Sequence, residues 1–145
     1  MTWIERLEMI ANFAVAVAVV FSAIALCISA CALKLQKKSL RANLFYGISK
    51  RVNKLEDQWA DCETKEDEEM WYERLFSTFE QFAFFANRGY LEKDMKEYYS
   101  AGIKECVDRL KKYPELLEYF KKRHSGEFEE LEKYFHSVIG EKLPF

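Results

Sequence analysis

The stretch "ANFAVAVAVVFSAIALCISACA", residues 11–32, followed at once by "LKLQKKSLR", residues 33–41, decides how the chain is organised. No charged residue occurs from Met9 to Leu33, a span of 25 positions. A helix needs about 20 apolar residues to cross ~30 Å of hydrocarbon, so this segment spans with room for tilt. The spacing divides the chain into a short N-terminal piece (1–8), a transmembrane helix (9–33), a basic juxtamembrane helix (34–60) and a helical domain (61–145).

The segment reads as a retained anchor. A cleavable signal has a positive leader and an apolar run of about 7–15 residues. Here the leader is "MTWIERLE", with Glu5 and Glu8 against Arg6, and the apolar run is longer. The competing reading is "ISAC", Ile28 to Cys31, which has the form of a bacterial lipobox with Cys31 as the lipidated residue; the flanking charges oppose it. Lys34, Lys37, Lys38 and Arg41 follow the run as membrane-surface residues, and no acid appears between Leu33 and Glu56. By the positive-inside rule, this predicts a single-pass inner-membrane protein with its N-terminus outside and its C-terminal domain cytoplasmic. Each cation just under the headgroups contributes ~1 kcal/mol with anionic lipid.

Within the run, Ala11, Ala14, Ala18, Ser22, Ala25, Ser29 and Ala32 recur with a mean spacing of 3.5, the period of a left-handed seam. Small residues let helix backbones approach closely in lipid, so the stripe is the expected interface of a homo-oligomer. Ten of residues 11–32 are Ala or Ser, so chance alone readily supplies such a stripe in some register.

Residues 42–145 carry 17 Lys+Arg against 22 Asp+Glu, which excludes general DNA or RNA binding by a strongly basic surface. Twenty of these residues are Phe, Tyr or Trp, an unusual aromatic load for one small core. Leu40, Leu44, Ile48, Val52, Leu55 and Trp59 keep helical steps, so the first helix is predicted to run on past the membrane. Further helices are predicted over "MWYERLFSTFEQFAFFANR" (70–88), about Glu92–Tyr113, "PELLEYFKKRH" (114–124) and about Glu127–Val138, with "EKLPF" as a tail. Inward positions are Trp71, Leu75, Phe79, Phe82 and Ala86, then Met95, Tyr99, Ile103, Cys106, Val107 and Leu110. On the last helix they are Phe128, Leu131, Phe135 and Val138. No alternating strand pattern occurs, and the fold class is all-α.

No Walker loop, GxSxG, HExxH or dinucleotide fingerprint is present, and His124 and His136 have no Cys companions at ligand spacing. The expectation is a protein that is not an enzyme and has no metal or cofactor. Basic groups at helix ends are candidate anion sites: Arg88 with Tyr90 in "NRGY", and Arg109, Lys111 and Lys112 in "RLKK" and Lys121 to His124 in "KKRH", which with Lys104 or Arg88 are expected to line a groove shared between subunits. Arg can grip a phosphate while Tyr stacks a base. The competing reading is that these cations, and His124 in "KKRHSG", only complement helix C-termini.

The block from Phe76 to Phe135 resembles a group of uncharacterised bacterial and phage membrane-anchored proteins that share a "fExfAxxxnxG" pattern, matched here by Phe79, Glu80, Phe82, Ala83, Asn87 and Gly89. That resemblance implies an all-α, membrane-tethered domain. In size and layout the chain is similar to small membrane effectors of type III CRISPR defence, whose helical cytosolic domains bind cyclic tetra-adenylate. This second likeness implies a cyclic oligonucleotide ligand and a role in antiviral defence. A scaffold or inhibitor that binds a protein partner through its aromatic helices is the alternative, and a membrane-tethered enzyme is a third.

Overall fold

The computed structural model describes residues 2–145 and contains five helices and no strand among them. They are α1 (Trp3–Trp59), α2 (Lys65–Asn87), α3 (Lys93–Lys111), α4 (Pro114–Arg123) and α5 (Glu129–Ile139). The chain divides into a unit ending at Leu40 and a second compact unit, Arg41–Phe145. In the first unit, α1 is long and apolar enough to cross a membrane, and none of that window is buried within the chain. The helix then continues without interruption into the second unit as far as Trp59.

In Arg41–Phe145 the aromatic load forms one core. Tyr72, Phe76 and Phe82 of α2, Phe120 of α4 and Phe135 of α5 are essentially inaccessible to solvent. Removing such a ring from water stabilises the fold by roughly 1.5–3 kcal/mol each. The "EKLPF" tail is part of this core: Leu143 is buried, and the Phe145 ring lies 5.1 Å from Phe76 and 5.2 Å from Phe120.

The helix ends follow from local chemistry. Thr64 starts α2 with a capping box: its hydroxyl accepts from the Asp67 N–H, and the Asp67 carboxylate accepts from the Thr64 N–H. At the other end Gly89 takes φ +72°, with Gly89 N–H donating to the Ala86 carbonyl and Tyr90 N–H to that of Phe85. These two bonds are a Schellman stop, and glycine has no Cβ to oppose it.

The closest helix pairing is α2 with α5. Both oxygens of the Glu80 carboxylate accept backbone N–H groups at the start of α5, from Glu130 at 3.0 Å and Leu131 at 2.7 Å. Asn87 donates to the carbonyl and the carboxylate of Glu130. Thus the polar members of the "fExfAxxxnxG" pattern seat α5, while Phe79, Phe82 and Ala83 are buried.

One predicted inward residue is corrected. Val138 is 51% exposed: it shares a face with Tyr134 one turn earlier but lies in the last turn of α5. The Tyr134 hydroxyl reaches Ser100 Oγ at 2.8 Å and the Lys96 carbonyl at 3.0 Å, so the buried stripe runs through Leu131, Tyr134 and Phe135.

Candidate functional site

A cavity of about 650 Å³ opens between the C-terminal part of α1, α2 and α3, wholly within Arg41–Phe145. Its walls are rings: Phe45 and Trp59 from α1, Trp71 and Phe79 from α2, Tyr98 and Tyr99 from α3. On α1 the lining residues Phe45, Ser49, Val52, Glu56 and Trp59 recur with steps of 4, 3, 4 and 3, so one face of the helix supplies them all. Large rings keep the facing backbones apart. Trp59 meets Trp71 edge-on at 4.6 Å between ring centres, and Phe45 meets Tyr99 at 5.7 Å. The volume and the apolar lining with few polar groups suit a small organic ligand.

Two hydrogen bonds hold the walls. The Trp71 indole N–H donates to the Leu55 carbonyl at 2.5 Å, and the hydroxyls of Ser49 and Tyr99 pair at 2.9 Å. The remaining polar groups are Asn53, Glu56, Glu105, Arg109 and the Cys106 thiol. Arg109 donates to Glu105 at 3.1 Å. Burial pushes the Cys106 thiol up to about 11. The Tyr72 hydroxyl is buried with no hydrogen-bond partner among the described residues, and burial raises it to about 12.

The structure does not gather the six predicted ligand-binding residues. Arg88 and Tyr90 precede α3, whereas Arg109, Lys111 and Lys112 end it, about 27 Å away at 1.5 Å per residue. The Arg88 guanidinium lies 3.5 Å from the centre of the Phe84 ring and 3.5 Å from the Glu130 carboxylate. Tyr90 is exposed and packs edge-on against Phe85. Lys111 is drawn to Glu141 at 3.1 Å, a hydrogen bond that raises its pKa, and Lys104 is 3.9 Å from the same carboxylate. Lys104, Arg109 and Lys112 share a shallow depression, but Glu105 and Asp108 line it too. Only Arg109 of the six belongs to the ring-lined cavity.

The seven small residues of the predicted seam lie on α1 and are exposed in the single chain. The Ser22 hydroxyl donates to the Ala18 carbonyl at 2.8 Å, so its polar group is satisfied within its own helix. Lys34, Lys37, Lys38 and Arg41 form no ion pair among the described residues. His124 sits at the end of α4, as its position in sequence suggests, and also meets Glu73 through Nε2 at 2.8 Å and Glu127 through Nδ1 at 2.6 Å.

No protein-family profile, curated protein or solved structure matches the chain.

Sequence reasoning missed Trp59, Trp71, Glu56 and Asn53 as site residues. The available signal was the α1 stripe running beside the apolar one, with polar Ser49, Asn53 and Glu56 interleaved among aromatic positions.

Proposed function

We propose that the protein is a single-pass membrane effector: its helical domain takes up a small signal in the cavity between α1, α2 and α3, and occupancy alters the packing of the membrane segments. The observation that carries this reading is the continuity of α1, which supplies both the membrane-crossing window and one wall of the cavity. A ligand wedged between α1 and α3 has no way to act on the wall without acting on the same helix. The chain works by binding rather than by catalysis, as a homo-oligomer joined along the small-residue stripe. The positive residues after Leu33 support an N-terminus outside and a domain in the cytoplasm.

A place in antiviral defence, with a nucleotide as the signal, follows from the layout alone. The separation of Arg88 from Arg109 and the acids around Lys104 weigh against a polyanionic ligand. A second reading, a scaffold for a protein partner, is favoured by the aromatic surface of Tyr46 and Tyr98, 67% and 71% exposed. Native mass spectrometry of the full-length protein in detergent, with panels of small metabolites and cyclic oligonucleotides, tests the proposal. A defined oligomer that gains one ligand mass per subunit supports it. A protein that gains no adduct, in any oligomeric state, points to the scaffold.

A further inference from the structure

Resting on the reading of this cavity as the signal site, we propose that its ligand is an organic cation, an ammonium group carried on a flat or apolar body. The charges of the site point that way. Arg109 is already engaged by Glu105, so the pair is internally balanced. Glu56, one helical turn before Trp59, lines the same cavity and forms no hydrogen bond or ion pair among the described residues. Tyr99 and Cys106 line the same cavity, and Glu56 itself is exposed to solvent at its edge. The formal charge of the lining is therefore negative, with two carboxylates against one guanidinium.

The rings supply the second half of the recognition. The faces and edges of Trp59, Trp71, Tyr98 and Phe45 border the volume in which the ligand would sit. An ammonium group is attracted to the negative face of such rings, most strongly to Trp, and the attraction grows as water is excluded. An anion would meet the same ring faces and the Glu56 carboxylate unfavourably. A neutral ligand would gain from the rings but nothing from Glu56. The Asn53 side chain, also without a partner among the described residues, offers a carbonyl oxygen to an N–H donor.

Three probes with one body separate the classes: 2-phenylethylamine, 2-phenylethanol and phenylacetate, cationic, neutral and anionic at pH 7. Binding to the full-length protein in non-ionic detergent is read by ligand-observed NMR. Gly102→Leu serves as the obstructed control, because Gly102 lines the cavity and a Cβ there meets no atom within 4 Å, leaving the added side chain to enter the open space. The expected result is that the amine binds most tightly and loses binding in Gly102→Leu. Its affinity falls about tenfold in Glu56→Gln, while that of the alcohol is unchanged. Preferential binding of the alcohol or the carboxylate, lost in Gly102→Leu, would overturn the cation while leaving the cavity as a signal site. Equal retention of all three probes in Gly102→Leu would overturn both.

Discussion

The Trp71 indole N–H reaches across to the backbone of α1 and donates to the Leu55 carbonyl at 2.5 Å. This bond ties α2 to the helix whose N-terminal part is long and apolar enough to cross a membrane. Trp71 lines the cavity as well, so the bond fixes one of its ring walls.

Trp71→Phe keeps an aromatic ring but removes the donor together with part of the buried indole. The loss of one buried hydrogen bond is expected to cost about 1–2 kcal/mol, read from the denaturant midpoint of the full-length protein in detergent by circular dichroism. An unchanged midpoint would mean that the bond does not contribute to holding α2 on α1.

Glu80 is the counterpart on the far side of α2. Its carboxylate satisfies two orphan N–H groups of α5, a role that side chains close in sequence usually play. Glu80→Ala leaves both without that acceptor and is expected to destabilise the domain by roughly 1–3 kcal/mol. Glu80→Gln, which offers one carbonyl oxygen instead of two, falls between the two.

Acid sensitivity follows from Glu73. The Tyr119 hydroxyl donates to its carboxylate at 2.5 Å, and His124 and Arg123 add to the effect, so its pKa lies below the ordinary 4.5. A carboxyl lowered in the folded state contributes stability that is present above the unfolded value and is lost as pH falls through the folded one. Denaturation midpoints followed from pH 6 to pH 3 are therefore expected to fall below about pH 4.5, and to fall less steeply in Glu73→Gln. Parallel curves would contradict this assignment.

The membrane seam has its own test. Ala18→Leu with Ser22→Leu places two branched side chains where close backbone approach is proposed. Because Ser22 already bonds to Ala18 within the helix, the change removes no bond between subunits and tests packing alone. Loss of the oligomer in native mass spectrometry is the expected outcome, and an unaltered subunit number would remove the seam.

Much of the fold was legible because it is written in helical steps. Trp71, Leu75, Phe79, Phe82 and Ala86 fall on one face at fixed spacing, and all are buried. Thr64 and Gly89 mark the ends of α2 through local bonds. What was not legible depends on partners remote in sequence. Val138 has the right spacing to be buried and shares a face with Tyr134, but it lies in the last turn of α5 and is exposed there. Phe145 lies in a tail with no periodicity, yet completes the ring cluster around Phe120. Arg88, Lys104 and Lys111 read as anion-site cations from sequence because Glu130 and Glu141, which pair with them, lie 30 or more residues away. The cavity itself exists because rings on three helices hold their backbones apart, a property of the assembled domain.

The most direct measurement uses the native thiols of the membrane segment. Cys27 and Cys31 are both exposed on α1 in the single chain and serve as reporters of packing between copies. With Cys62 and Cys106 replaced by alanine, oxidative crosslinking in membranes would be compared between the otherwise native chain and Gly102→Leu, which fills the cavity from α3. If occupancy of the cavity is transmitted along α1, the crosslinking yields at Cys27 and Cys31 will differ between the two proteins. Identical yields, from equally folded and equally inserted proteins, would contradict the account.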